Sequence, residues 1–165
     1  MSDVRPGLGI EGVRDLIDLH EGRLDVPVLD DDGIREVLGG HPRIALIGAS
    51  PDPSRPSNGV LRHLVAAGYD VVPINPKEPE IAGRVAYPTL ATAVEATGPF
   101  DIVDVFRRPE QCPEHAREAV AVGATCLWLQ LGIASREAGR IAHEAGLSVV
   151  MDRCTSIEIR RIGRG

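Results

Sequence analysis

Five largely apolar runs, of which 43–48 is the most continuous, constrain the fold of this chain more than any other feature. They lie at 43–48, 69–75, 100–106, 125–132 and 147–152. Segments with helical spacing of apolar residues separate them, as at 58–68 and 135–145. Continuous apolar runs are typical of buried parallel strands, and their alternation with helices is typical of βαβ units. The sequence therefore predicts one α/β domain, a single doubly wound, Rossmann-like parallel sheet with helices on both faces.

Local signals mark several helix ends between these strands. Thr89 and Ser135 are predicted N-caps, because a hydroxyl oxygen accepts a hydrogen bond from the first turn of a helix. Pro113 fits the first turn of a further helix. A short additional strand is expected near 85–87.

Acidic residues are concentrated near the N-terminus. Positions 1–32 hold nine acids against three bases, which equals the whole net charge of −6. Acids and bases balance in the remainder, so that part of the chain need not repel an anion. We therefore divide the chain into an acidic, partly helical and loosely attached leader, 1–30, and a Rossmann-like domain, 31–165.

Composition excludes several classes of partner and compartment. The bases form no stripe that would bind nucleic acid, and no apolar stretch approaches the roughly 20 residues of a membrane span. The N-terminus does not resemble a signal peptide. Cys112, Cys126 and Cys154 form no CxxC pair or zinc spacing, which favours reduced thiols and no metal. We expect a cytoplasmic protein.

The segment after the first apolar run has the character of a phosphate-binding loop. Its candidate residues are Gly48, Ala49, Ser50, Ser54, Arg55 and Ser57. A glycine permits a sharp turn, and the following N–H groups, the hydroxyls and the N-terminus of the next helix all favour an anion. The GxGxxG and Walker patterns are both missing, so the loop is not typical of NAD or ATP sites.

The second run ends in Asn75-Pro76-Lys77. NAD sites usually place Asp or Glu here to bind a ribose hydroxyl. An amide and a lysine instead suit a sugar that carries an extra phosphate, as in NADP or in coenzyme A (CoA). A surface turn with a solvated lysine is the alternative.

The third run ends with a pair of arginines. The candidate residues at this junction are Val105, Phe106, Arg107 and Arg108. An arginine here suits a phosphate, and the valine or phenylalanine suits an adenine ring. Salt bridges of the arginines to Glu110 or Glu114 are the competing use.

Trp128, Gln130 and Gly132 mark the end of the fourth run. Gln130 offers both an amide donor and an acceptor, and Gly132 permits close approach, which suits a thin, amide-bearing ligand. Trp128 is equally well explained as core. After the fifth run, Cys154 is either a reactive thiol or a small inert residue.

These motifs together resemble the small, stand-alone CoA-binding proteins, which are similar to the N-terminal domain of the succinyl-CoA synthetase α subunit. The motifs are Gly48-Ala49-Ser50, Ser54-Arg55-Pro56-Ser57, Asn75-Pro76-Lys77, Val105-Phe106-Arg107-Arg108-Pro109, Trp128-Leu129-Gln130-Leu131-Gly132 and Met151-Asp152-Arg153-Cys154. The resemblance implies a Rossmann-like fold that binds CoA. It implies CoA phosphates at 48–50 and 54–57, the adenosine end near 75–77 and 105–107, and the pantetheine arm toward 128–132.

The resemblance also bears on catalysis. Succinyl-CoA synthetases carry a phosphohistidine on a second domain, whereas this chain ends at Gly165 and none of its five histidines matches such a site. No nucleophile and base can be paired from the sequence. We therefore expect CoA or acyl-CoA binding in a non-catalytic or regulatory role, with a protein partner left open.

Two alternatives remain at this point. An NADP-linked oxidoreductase would use Lys77 and Arg107 to bind the 2′-phosphate. A nucleotide-binding subunit of an acyl-CoA ligase would have its catalytic domain on another chain.

Overall fold

A computed structural model describes residues 9–163. The helices are α1 (Ile10–His20), α2 (Asp31–Gly39), α3 (Pro56–Ala66), α4 (Leu90–Thr97), α5 (Cys112–Ala121), α6 (Arg136–Glu144) and α7 (Thr155–Arg161). The strands are β1 (Arg43–Ile47), β2 (Asp70–Ile74), β3 (Glu80–Ile81), β4 (Arg84–Val85), β5 (Ile102–Val105), β6 (Cys126–Leu129) and β7 (Ser148–Val150). A 3₁₀ segment, Pro109–Gln111, precedes α5.

Five strands form one parallel sheet in the order β2-β1-β5-β6-β7. The chain adds β2 on one side of β1 and then returns to add β5 on the other side. This reversal opens a crevice at the carboxyl ends of β1 and β5, where doubly wound sheets bind ligands. The predicted α/β fold is confirmed.

Apolar clusters cover both faces of the sheet. Val103 and Leu127 point into one cluster, which packs under α4, α5 and α6. Leu46 and Trp128 point into the other, which includes Leu61 of α3. Successive strand residues point to opposite faces, so each buried strand contributes apolar residues to both clusters.

The capping predictions hold, whereas the extra strand differs from expectation. The hydroxyls of Thr89 and Ser135 accept hydrogen bonds from Thr92 N and Ala138 N, each at 3.1 Å. The expected strand near 85–87 is instead β4, which pairs only with β3 in an antiparallel ribbon. A single bridge to β2 follows it at Tyr87. The run is too short to add a ladder to the main sheet.

The leader is firmly attached wherever the structure describes it. Arg136 of α6 donates to Asp18 Oδ2 at 2.6 Å, and its backbone N donates to Asp15 Oδ2 at 2.8 Å. Leu24 and Val26 are buried in the core of the domain. The expectation of loose attachment is therefore wrong for residues 9–30, because Arg136 pairs with Asp15 and Asp18 and apolar residues of the leader are buried. The leader's residues 1–8 lie outside the described residues, and the boundary at 30 stays a prediction.

Two general features concern partners. Between residues 9 and 163, no helix is both long and apolar enough to cross a membrane. Over the same span, no group of three or more His, Cys, Asp or Glu side chains is arranged to hold a metal ion.

Candidate functional site

A cavity of about 950 Å³ opens at the carboxyl edge of the sheet. The predicted site residues that line it are Gly48, Ser50, Arg55, Ser57, Phe106, Arg107, Arg108, Gln130 and Gly132. Further lining residues, not predicted as site residues, are Leu16, Pro56, Val60, Gln111, Leu131, Ile133, Asp152 and Cys154. Four strand ends that are distant in sequence thus contribute to one concave surface, as the parallel topology requires.

Gly48 lies where the loop after β1 contacts the loop after β5. Its φ of 82° lies in the left-handed region that favours glycine. A Cβ at this position would overlap the carbonyl oxygen of Phe106 and would lie 3.1 Å from Arg107 Cδ. The glycine therefore permits the close approach that brings Arg107 beside the first loop.

The loop after β1 folds back onto the N-terminus of α3. Ser50 N donates to Ser57 Oγ at 3.1 Å, and Asn58 Nδ2 donates to Ser50 O at 3.0 Å. The Ser54 hydroxyl donates to Asp52 Oδ1 at 2.8 Å and so serves the loop's own turn. Ala49 is buried in the core. Of the residues predicted in this loop, Ser50 and Ser57 line the cavity. Ala49 and Ser54 instead support the structure of the loop.

Three arginines line the cavity. Across residues 9–163, the side chains of Arg55, Arg107 and Arg108 form no salt bridge. Arg107 Nε is buried and has no hydrogen-bond partner there. The alternative pairing with Glu114 is not made, since Glu114 accepts from Arg117 at 3.3 Å. A buried charged donor without an acceptor is costly, so this guanidinium is well placed for an anion.

A second cavity of about 190 Å³ adjoins the first and shares Gly48 and Arg107 with it. Its wall includes Pro76, from the predicted second junction, together with Thr89 and His115. The shared residues place a cationic side chain between the two spaces. The small space is of the right order for a flat heteroaromatic ring.

Asn75 supports the site from behind. Its Nδ2 donates to Ala49 O at 2.9 Å, while its Oδ1 accepts from the N–H groups of Lys77 and Glu78 at 2.8 and 3.0 Å. The amide therefore holds the loops after β1 and β2 together, instead of lining either cavity. Lys77 is exposed at the surface, outside both linings.

Val105 and Trp128 lie in the core and away from the cavity. Each is fully buried, Val105 in the cluster below α5 and Trp128 in the cluster on the opposite face. Trp128 Nε1 donates to Arg153 O at 2.7 Å. The strand pleat directs both side chains perpendicular to the sheet, whereas the residues just beyond each strand end reach the cavity.

A buried polar cluster lies beneath Gln130. Its Nε2 donates to Asp104 Oδ1 at 2.6 Å and to Thr155 Oγ1 at 2.9 Å, and that hydroxyl donates to Asp104 Oδ2 at 3.1 Å. Burial raises the pKa of Asp104 to about 7, although the hydrogen bonds from Gln130 and Thr155 oppose the shift. The hydrogen bonds of Nε2 to Asp104 and Thr155 hold the amide of Gln130 in place at the cavity wall. The only sequence signal for this cluster was an aspartate inside an apolar run.

Asp152 connects the loop after β6 to the leader. Gly132 N donates to Asp152 Oδ1 at 2.6 Å, and His20 Nε2 lies 2.6 Å from Asp152 Oδ2. Leu16, on the same helix as His20, reaches the cavity. Sequence reasoning missed Leu16 because a helix outside the sheet pattern gives no indication of which strand ends it will cover.

The cysteines differ in their surroundings. Burial raises the thiol pKa of Cys112 and of Cys126 to about 12 in each case. These thiols remain protonated at neutral pH and behave as small apolar residues. Cys154 is half-buried and lines the cavity.

Comparisons with known proteins point to one family. Residues 42–160 match the family model described as a CoA binding domain. An uncharacterized protein of Bacillus subtilis (strain 168), YneT, is 40% identical over 124 residues, which cover 75% of this chain and 90% of that protein. A hypothetical protein from Pyrococcus horikoshii OT3 is 40% identical with a TM-score of 0.76, over 81% of this chain and 92% of that one. A dinucleotide-forming acetyl-coenzyme A synthetase 1 from Ca. Korarchaeum cryptofilum is 25% identical with a TM-score of 0.57, over 67% of this chain and 26% of that one.

Proposed function

This chain belongs to the CoA-binding domain family, and from that premise we propose that it binds CoA or an acyl-CoA at the carboxyl edge of its sheet. The observation that carries the proposal is the set of Arg55, Arg107 and Arg108 around one cavity, none of which forms a salt bridge among residues 9–163. CoA brings a pyrophosphate and a 3′-phosphate, which suit such a set of guanidinium groups.

The proposed placement of CoA is based on the positions of the positively charged groups around the cavity. The pyrophosphate lies against Ser50, Arg55 and Ser57, where the N-terminus of α3 adds its partial positive charge. The adenine occupies the smaller cavity beside Pro76, with Arg107 between the ring and the pyrophosphate. The exposed Lys77 lies near this end and reaches for the 3′-phosphate.

The pantetheine arm runs in the opposite direction, toward the loop after β6. Its amide N–H groups find an acceptor in Gln130 Oε1, since Gln130 lines the cavity and its amide is held by Asp104. Gly132 offers close approach for a thin chain. The ligand thus spans the cavity from the second strand to the loop before α6.

The proposed role is binding without turnover, in the cytoplasm. Incubation of the protein with CoA and with acetyl-CoA, followed by chromatography, should return both compounds unchanged. Hydrolysis of the thioester at a rate proportional to protein concentration would contradict this part of the proposal.

A thermal comparison of four ligands tests the binding proposal. CoA at about a hundredfold over its Kd should stabilise the protein by roughly 2.7 kcal/mol, which is on the order of 5–10 °C in Tm for a domain of this size. Dephospho-CoA should give a smaller shift, and NADP and NAD the smallest shifts. Stabilisation by NADP alone, or by none of the four at millimolar concentration, would overturn the proposal.

A matched pair of variants locates the site. Arg55→Ala removes a cavity arginine and should raise the Kd for CoA about tenfold or more. Arg35→Ala removes an exposed arginine of α2 that pairs with Asp32 at 3.2 Å, and it should leave the Kd unchanged. Equal effects of the two variants on affinity would show that only the overall charge matters.

A further inference from the structure

The leader helix α1 crosses the carboxyl edge of the sheet. Near its N-terminal end it contacts the 3₁₀ segment Pro109–Gln111, which follows β5. At its C-terminal end, His20 bonds Asp152, which follows β7. Because β6 lies between β5 and β7, a helix of about 16 Å spans the end of β6 and the adjoining part of the cavity.

The cavity has ends of different character. Ser50, Arg55 and Ser57 line the end at the loop after β1. Leu16 of α1 lines the cavity at the other end, together with Leu131 and Ile133 from the loop after β6. Leu16 and Ile133 also pack against the same core cluster. The helix therefore supplies an apolar wall beside the loop after β6, which is separated from the loop after β1 by β5 in the sheet order.

This wall is held in place by strong contacts. Arg136, at the start of α6, bonds Asp15 and Asp18, the residues that flank Leu16 by one and two positions. The α1 helix lies outside residues 42–160, which match the family model. Leu16 therefore lies outside the region that matches the family model, whereas Leu131 and Ile133 lie within it.

We propose that α1 makes the site selective for CoA thioesters with a short, uncharged acyl group, which Leu16 contacts. This inference rests on the proposed function, since it concerns the distal end of the same ligand. An apolar acyl group gains by leaving water for the space below Leu16 and Ile133. A carboxylate-bearing acyl group is disfavoured there, because the Asp152 side chain lines the same end.

Calorimetric titration of the full chain with CoA, acetyl-CoA, butyryl-CoA and succinyl-CoA tests the selectivity. Butyryl-CoA should bind about tenfold more tightly than CoA, the effect of roughly two well-buried methylene groups. Acetyl-CoA should fall between them, and succinyl-CoA should bind more weakly than butyryl-CoA. This series uses the unmodified protein and does not depend on the folding of any variant.

A matched pair of helix variants assigns the preference to Leu16. Leu16→Ala should reduce the ratio of the CoA Kd to the butyryl-CoA Kd at least threefold. Ile17→Ala removes a side chain of equal size that is 49% exposed on the same helix, and it should leave the ratio unchanged.

The outcomes separate the two proposals. Equal affinities for CoA and butyryl-CoA, or a ratio that survives Leu16→Ala, would overturn the selectivity while leaving CoA binding intact. Tighter binding of succinyl-CoA than of butyryl-CoA would also overturn it. Failure of all four ligands to bind would overturn the proposed function itself, and the selectivity with it.

Discussion

Arginines on the two flanks of the cavity differ in their partners. On the leader flank, Arg136 donates to Asp18 at 2.6 Å and Arg153 donates to Asp31 at 2.7 Å. On the flank of the first loop, Arg55 and Arg107 form no salt bridge within residues 9–163. Two acids of the leader, Asp15 and Asp18, thus pair with an arginine of the domain. Three arginines and one acid, Asp152, line the larger cavity. Cationic side chains therefore outnumber acidic ones there, although the whole chain carries a net charge of −6.

The largest effect is expected from Gly48→Ala, which disturbs the flank without paired arginines. The new Cβ would overlap the backbone of Phe106, and the positive φ adds strain. We expect a loss of about 3 kcal/mol or more in the free energy of unfolding, and weaker CoA binding because Arg107 moves. Denaturant titration and calorimetry measure both quantities.

Gly68→Ala is the matched control for that experiment. Its φ is 94°, yet nothing lies within 4 Å of the added Cβ. It should cost only about 1–2 kcal/mol and leave CoA affinity unchanged. Similar losses for the two variants would mean that the contact between the loops after β1 and β5 is unimportant.

Within the described part of the chain, Asp104 is a buried acid without a basic partner, since its carboxyl group bonds the neutral amide of Gln130 and the hydroxyl of Thr155. Its pKa is about 7 in the folded protein, against an ordinary aspartate value of 3.8. The folded state therefore binds the proton of Asp104 more tightly than the unfolded state does. The free energy of unfolding falls as pH rises from about 4, and it becomes constant above about 7. Between pH 5 and 8, the wild type should lose roughly 2–3 kcal/mol relative to Asp104→Asn. Parallel curves of unfolding free energy against pH for the two proteins would contradict the assignment.

Arg136→Ala and Arg107→Ala compare an arginine that forms salt bridges with one that forms none within residues 9–163. The first variant should change mainly the Tm, and the second mainly the Kd for CoA. Loss of the Arg136 side chain removes its contacts with Asp15, Asp18 and the carbonyl oxygen of Leu24, although Asp15 keeps the backbone N–H of residue 136 and Asp18 keeps Arg23. It should cost about 2 kcal/mol, or 4–8 °C in Tm, with little change in the Kd for CoA. Loss of Arg107 should weaken CoA binding roughly thirtyfold, since a charge-assisted bond is removed, with little change in Tm. If each variant altered both quantities equally, the division of labour between the two flanks would be wrong.

The smallest effect is expected from Asp31→Asn, at the exposed edge of the leader contact. The Arg153 hydrogen bond, with added attraction from Arg153 and Arg161, lowers the pKa of Asp31. A lowered pKa stabilises the fold above the unfolded value and loses this effect as pH falls through the folded value. At pH 7 the Tm should drop by about 1 °C, and the difference should shrink in 1 M salt or at pH 3. A difference that persists in high salt would indicate another cause.

The sequence was sufficient for the sheet but only partly so for the site. Continuous apolar runs identify buried strands, and parallel strands bring their carboxyl ends to one edge, so Gly48, Arg55 and Arg107 could be expected together. Val105 and Trp128 lie at or near the carboxyl ends of their strands, as the site residues do. The pleat of the strands nevertheless directs both side chains into the core. Leu16 could not be predicted as a site residue, because the packing of α1 depends on tertiary contacts that leave no periodic pattern in the sequence.

The single tryptophan of the chain offers a consequence of its own. Trp128 is buried, and its indole N–H bonds the carbonyl of Arg153, next to Cys154 at the cavity wall. Any ligand that moves this stretch changes the surroundings of one fluorophore, whose emission carries no background from a second indole. The protein therefore contains its own optical probe, and ligand titrations can be followed by fluorescence without a label.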